Sequence, residues 1–231
     1  MSRILLAAVL CVALFAAGCG KKKQRVPVPP PAPRTSGPAP RVAVPGPPAG
    51  TTERGVASWY GRPYDGRAAA DGEIYDMETL VAAHRTLPFQ TMVRVRNLTN
   101  DKTVDVRIID RGPFVANRII DLSHAAAGVI GMLGAGIAQV ELTILSSPAS
   151  AAPPQFAVQV GAFRDRANAD RMQQNMTNAY GSAKQVLRQG DPPLWRVLAG
   201  REASPEAAET LARRIRQEQN LPQAFVVRLD P

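Results

Sequence analysis

Residues 104–114 read VDVRIIDRGPF, and the acid at Asp110 is the first residue whose type and place could do chemistry. Val104, Val106 and Ile108 share one parity, and Asp105 and Arg107 share the other. That alternation predicts a half-buried β-strand with the aliphatic side chains facing inward. Asp110 falls on the inward parity, where an unpaired carboxylate is costly. Arg111-Gly112-Pro113 then breaks the strand. A carboxyl at the rim of an apolar face can give or take a proton beside a bound substrate. The structural alternative is an Asx turn, or an ion pair with Arg111.

The elements around it read as short strands over Gly55–Tyr60, Met92–Asn97, Thr103–Asp110 and Ile137–Leu145. Asn100-Asp101 marks a hairpin turn, and Ser123 caps a short helix beginning at His124. Many strands with little helix predict a small closed barrel over residues 53–146. Residues 147–154 read as a linker. From 155 to 231 the order becomes strand, helix, strand, strand, helix, strand, a ferredoxin-like βαββαβ layout. The helices are expected at Asp165–Tyr180 and from Ser204-Pro205 onward. A faint repeat at an offset of 39 maps Val158, Gly161, Ala169 and Met172 onto Val197, Gly200, Ala208 and Leu211. The fold class is thus mainly β plus α+β, in two domains.

The N-terminus carries Arg3, an apolar run from Ile4 to Ala17, and the sequence Ala16-Ala17-Gly18-Cys19. The run is short for a membrane span and has the order of a secretory signal over residues 1–18. Its end resembles a bacterial lipobox, which implies that Cys19 is acylated and anchors the chain to a membrane. Gly20 is not the aspartate that retains such lipoproteins in the inner membrane. The expected location is therefore the outer membrane, facing the periplasm. Residues 19–52 form a tether, with ten of the chain's 21 prolines between Pro27 and Pro48. Such a Pro-rich arm is extended and packs no core.

The net charge of +9 belongs to that tether. Lys21, Lys22, Lys23, Arg25, Arg34 and Arg41 all precede the first acidic residue, Glu53. Without them and Arg3, 21 basic residues face 19 acidic ones, which argues against a nucleic-acid partner. The only cysteines are Cys11 and Cys19, so the domains are held by ordinary cores and not by a disulfide. With only His84 and His124 beside them, no metal site is expected, and no cofactor.

The stretch GVASWYG…DGRAAADGEIYDMETLVAAHRTLPFQTMVRVRNL…VRIIDRGPF…RIIDLSHAAA resembles the six-stranded double-psi β-barrel domain of the rare lipoprotein A family. FAVQVGAF followed by WRVLAG resembles a SPOR domain. Together these resemblances imply an endolytic lytic transglycosylase acting on peptidoglycan glycans stripped of stem peptides, in wall remodelling and septation. They imply glycan strands as partner, cell-division proteins as further candidate partners, and enrichment at the septum. By position, Glu73 is the implied catalytic acid, Asp110 its second carboxylate and His84 a third polar member of the groove. The chain departs from the family at Ala69, where threonine is usual, at Asp71, where asparagine or serine is usual, and at Asp65, where a histidine often stands.

Cleaving a glycosidic bond needs a proton on the leaving oxygen and charge stabilisation at the sugar carbon, commonly supplied by two carboxyls. Desolvation is expected to raise Glu73 so that it is the acid, with Asp110 stabilising charge or orienting; the reverse assignment is the alternative. Asp71 is expected to raise Glu73 further or to weaken substrate contact. His124 reads as structural. In the second domain, Gln159, Leu194 and Arg196 have the parity of a sheet face left open by the helices and are the expected glycan contacts. Trp195 points into the helix layer. The alternative to an enzyme is a wall-binding lipoprotein whose barrel grips glycan without cutting it, as in the expansins that the barrel resembles.

Overall fold

In the computed structural model, residues 43–150, 152–188 and 192–230 are described. The signal segment, Cys19 and the tether as far as residue 42 lie outside the described residues. The first seven elements are β1 (Thr52–Tyr60), β2 (Val81–His84), β3 (Met92–Asn97), β4 (Thr103–Asp110), β5 (Arg118–Ser123), α1 (His124–Val129) and β6 (Ile137–Ser146). The six strands close a barrel in the order β1-β5-β2-β4-β3-β6, a double-psi β-barrel. β1 with β5 and β2 with β4 run parallel, and the other neighbours are antiparallel. The alternating residues fill the interior: Val93, Val95, Val104, Val106 and Ile108 meet Ile120, Leu122 and Val140. Ser123 caps α1 by accepting a hydrogen bond from the Ala126 N–H at 3.2 Å. Asp101 takes a left-handed φ of 57° in the β3–β4 turn.

Two strands escaped the periodicity. All four residues of β2, Val-Ala-Ala-His, are buried, so they show no alternation. β5 shows only a brief alternation, with Ile120 and Leu122 buried and the half-buried Asp121 between them. Strand β4 also changes near its end. Its pairing with β2 shifts between Ala82 and Ala83, so that Ala82 faces Ile108 and Ala83 faces Asp110. Ile109, on the solvent parity, is buried by the 61–80 loop in a satellite cluster with Ala69, Tyr75 and Val81. Burying side chains of this size gives roughly 1.5–3 kcal/mol each, enough to hold a long loop in place. Backbone bonds from Gly66 N to Tyr75 O and from Ala69 N to Glu73 O, both 2.8 Å, fasten it. Gly72 turns it at a φ of 95°, where a side chain would be strained.

The second sheet comprises β7 (Gln155–Phe163), β8 (Ala183–Arg188), β9 (Leu194–Glu202) and β10 (Phe225–Leu229), with α2 (Arg166–Tyr180) and α3 (Pro205–Glu218) on one face. Its order is β10-β7-β9-β8, wholly antiparallel. Asp165 and Ser204 cap the two helices, accepting from the Ala167 and Ala207 N–H groups at 2.7 and 3.2 Å. The repeat at offset 39 reflects the two βα halves: Val158 and Val197, like Ala169 and Ala208, are wholly buried in one helix-side core. Trp195 packs against that core, as its parity predicts.

The other sheet face is not open. Ala157, Leu198 and Val227 are buried there with Phe114, from the barrel segment after β4. Residues 40–231 accordingly cluster as one compact unit. The end of the tether is also pinned: Val44 and Ser150 exchange two backbone hydrogen bonds of 2.8 Å. The residues expected as two linkers therefore touch each other.

Candidate functional site

Asp110 ends β4 with its carboxyl 5 % exposed. The backbone decides its orientation. Oδ1 accepts the Arg111 N–H at 2.7 Å and the Ala70 N–H at 3.1 Å, so the carboxyl ties the strand end to the 61–80 loop. Oδ2 meets Arg188 Nη2, from β8 of the second sheet, at 2.9 Å. Neither the Asx turn nor a pair with Arg111 alone accounts for the acid. Arg111 instead sends its guanidinium to Asp230, at 2.9 and 2.7 Å, and to the His84 carbonyl at 3.1 Å.

A wall of tyrosines stands beside Asp110. Tyr60 and Tyr75 stack with ring centroids 4.2 Å apart, and Tyr64 meets Tyr60 edge-on at 5.9 Å. The Tyr75 hydroxyl donates to the Tyr60 carbonyl at 2.6 Å. Burial, then the negative charge of Asp110, pushes the Tyr60 hydroxyl far above its ordinary range, so it stays a neutral phenol. These three rings, Asp110, Arg188 and Leu194 line a cavity of about 50 Å³. Behind it Asp121 is raised above the usual carboxylate range by burial, and Ser58 hydrogen-bonds to it.

Glu73 sits differently from its expected setting. Its side chain is 46 % exposed. Both oxygens are held by Arg107, at 2.6 and 2.9 Å, and Gln90 Nε2 adds a third bond at 3.1 Å. The Arg107 and Gln90 hydrogen bonds hold Glu73 below its ordinary value. The expectation of a desolvated, raised Glu73 is corrected: burial is too slight, and a guanidinium is too close. The expected effect of Asp71 is corrected as well. Asp71 is itself the raised group, by desolvation first and then by the charges of Glu73 and Asp110. It bridges the two carboxyls' surroundings, accepting from Glu73 N at 3.0 Å and Gln90 Nε2 at 3.0 Å.

The structure brings Asp110 and the Glu73 loop to one corner of the barrel, but Glu73 lies outside the cavity that Asp110 lines. Arg107 and Asp110 are three residues apart, roughly 10 Å along a strand. His84 does not join that cavity. Its Nδ1 accepts from the Thr86 and Leu87 N–H groups at 3.2 and 3.1 Å, so its proton is on Nε2, 3.3 Å from Glu53 Oε2. It positions Arg111 through its carbonyl. His124 is structural, with Nδ1 at 3.0 Å from Glu78 and its ring edge-on to Trp59.

The expected sheet-face contacts are corrected in their setting. Gln159 is 5 % exposed and hydrogen-bonds to Arg196 Nε. The Arg196 guanidinium lies 4.9 Å from the Phe114 ring centre. Burial, then the charge of Arg188, lowers Arg196 to about 10, which leaves it a cation at neutral pH. Leu194 faces the Asp110 cavity. Sequence reasoning missed Tyr60, Tyr75, Arg107, Asp121 and Arg188. Only Arg107 left a signal, as an arginine on the solvent parity of the strand that carries Asp110.

Residues 52–142 match the family described as lytic transglycolase, and residues 152–228 match the SPOR domain family. A protein of Vibrio cholerae named endolytic peptidoglycan transglycosylase RlpA is 50 % identical over 99 residues, 43 % of this chain and 38 % of its own. A Campylobacter jejuni protein of the same name is 50 % identical over 96 residues, 42 % of this chain and 35 % of its own. A probable member in Treponema pallidum is 56 % identical over 88 residues, 38 % of this chain and 28 % of its own. The matched stretch thus spans well under half the length of these relatives. The chain thus carries a domain that matches the lytic transglycolase family, followed by one that matches the SPOR family.

Proposed function

We propose that this protein is an endolytic lytic transglycosylase that cuts peptide-free peptidoglycan strands and leaves 1,6-anhydro-muramic acid ends. The observation that carries the reading is a buried, backbone-oriented carboxyl, Asp110, set against stacked tyrosines at the rim of the barrel. Aromatic faces suit sugar rings, and a lone carboxyl can serve as acid and then as base. The relatives' printed names support the same activity.

The Arg107 clamp on Glu73 supports the reverse of the expected roles. Asp110 is the proton donor and Glu73 the charge stabiliser, because Arg107 keeps Glu73 anionic. Once Arg188 has withdrawn, Asp110 takes up a proton from solvent and gives it to the leaving O4 of N-acetylglucosamine as the bond to C1 of muramic acid breaks. The C6 hydroxyl of the same muramic residue attacks C1 and passes its proton to Asp110. No water is consumed, and the acid is restored. The carboxylate of Glu73 offsets positive charge developing at the sugar carbon. His84 is a positioning residue behind Arg111.

The SPOR domain would bind the same strands through Gln159, Leu194 and Arg196. Cys19 would carry the lipid anchor, in the outer membrane facing the periplasm, and the basic tether would let the enzyme reach the wall near the septum. The test uses residues 40–231 and amidase-treated sacculi. Soluble glycan with anhydro ends, found by mass spectrometry, is the expected product. Binding to sacculi with no soluble product would instead support the wall-binding reading.

A further inference from the structure

The geometry points to the SPOR domain as a lid on the barrel, with Arg188 as a switch that leaves Asp110 for the free carboxylate of a peptide-free muramic residue. The inference rests on the reading of the barrel as a glycan-cutting enzyme. Its first observation is the pair between Arg188 Nη2 and Asp110 Oδ2 at 2.9 Å, which joins the two domains at the proton donor itself. Its second is space. The cavity at Asp110 is about 50 Å³, room for a water or two and well short of the roughly 300 Å³ at which ligand pockets begin. A sugar ring reaches Asp110 only when Arg188 and Leu194 move away. Its third is that the lid hides two surfaces at once. The sheet face with Gln159 and Arg196 lies against Phe114, so the SPOR domain's own glycan face is closed by the same contact.

The closing ties are an apolar contact, Phe114 against Ala157, Leu198 and Val227, and a few polar bonds. Besides Arg188 they are the two bonds from Arg111 to Asp230, at 2.9 and 2.7 Å, and one backbone bond from Arg228 N to Arg85 O at 2.9 Å. Ion pairs between guanidinium and carboxylate exchange readily for others of the same kind. Along this seam runs a second cavity of about 390 Å³, a size that takes a sugar. Ala70, Phe89 and Arg111 line one side, and Lys184, Arg188 and Arg196 the other. A ligand in this seam meets five cations, Arg111, Lys184, Arg188, Arg196 and Arg228, against one carboxylate, Asp230. Asp110 therefore stands where a ligand's carboxylate would stand against Arg188.

That chemistry selects one class of glycan. When the stem peptide is present, the lactyl group of muramic acid is an amide and carries no charge at that point. Once the peptide is removed, the lactyl group is a free carboxylate. A peptide-free strand entering the seam offers Arg188 a replacement for Asp110, and the lid opens as the substrate arrives. A strand without that carboxylate has nothing to exchange, so Arg188 both gates the site and discriminates among strands.

The test compares amidase-treated sacculi with the same sacculi after their carboxylates have been coupled to methylamine. Wild-type residues 40–231 should cut the coupled strands about tenfold more slowly or worse, the worth of a charge-assisted hydrogen bond. Arg188→Gln removes the pair and should cut both substrates at similar rates. Asp230→Lys places a cation against Arg111, loosens the lid without touching Arg188, and should raise turnover of the coupled strands. Equal rates for the wild type on both substrates would overturn the proposal while leaving the enzyme reading intact. So would two variants that keep the wild-type preference. No cleavage of untreated strands by any form would remove the enzyme reading, and the lid with it.

Discussion

Strand β4 presents two carboxyls in opposite circumstances. Asp110, at its inward end, is nearly closed off from water and oriented by two backbone N–H groups. Glu73, leaning on its outward face, is half exposed and clamped by Arg107. Burial alone would make the first costly, and a neighbouring cation makes the second an obligate anion. The difference teaches that residue type does not assign the roles of a carboxyl pair. The surroundings of each carboxyl bear on it as well, and the Arg107 clamp on Glu73 is the ground on which the roles expected for the family are proposed reversed.

Asp110→Asn is the sharpest way to break this comparison. It keeps an acceptor for the Ala70 and Arg111 N–H groups but cannot give a proton. Turnover should fall about 10³-fold, with a lower melting temperature from the lost Arg188 pair that Arg188→Gln shares without the loss of turnover. Glu73→Gln should fall less, about 10²-fold, because it loses a charge and not the proton carrier. Both should still sediment with sacculi. If Glu73→Gln proved the worse of the two, the roles would return to their expected order.

Arg107→Gln sharpens the comparison from the other side. A carboxyl held below its ordinary value adds stability above its unfolded pKa and loses it as the pH falls through its folded one. The Glu73–Arg107 pair should therefore stabilise the wild type relative to Arg107→Gln at neutral pH, and the gap should begin to shrink at about pH 4 and vanish only once the pH is below the folded value. So exposed a pair contributes under about 1 kcal/mol, a shift of a few degrees at most. Melting curves at the two pH values measure it. The smallest effect belongs to Asp71. Its carboxyl is raised, so its charge costs stability above the unfolded pKa. Asp71→Asn should melt slightly higher than wild type at neutral pH, with the difference gone in acid.

The two domains were unequally legible in sequence. In the SPOR domain every strand and helix followed from local pattern: period-two strands, Asp165 and Ser204 as caps, and a repeat of the core positions. Parity also told which side each residue faces. It could not tell what lies opposite, and Phe114, more than 40 residues upstream of that face, covers it. In the barrel, β2 hid because a strand buried on both sides loses alternation, and β5 because its alternating pair, Ile120 and Leu122, is too short a pattern to read. The inward parity of Asp110 was legible, whereas its partner Arg188 and the Glu73 partner Arg107 are 78 and 34 residues distant. No local pattern encodes such pairs, yet the proposed roles of the two acids rest on them.

The central claim is that Asp110 carries a proton between two sugar oxygens with no water taking part. Digesting amidase-treated sacculi in water enriched in heavy oxygen tests it directly. The account predicts new muramic ends that carry no heavy oxygen and have the mass of the anhydro form, with Asp110→Asn yielding none. Heavy oxygen built into those ends would show that water is the nucleophile and would contradict the account.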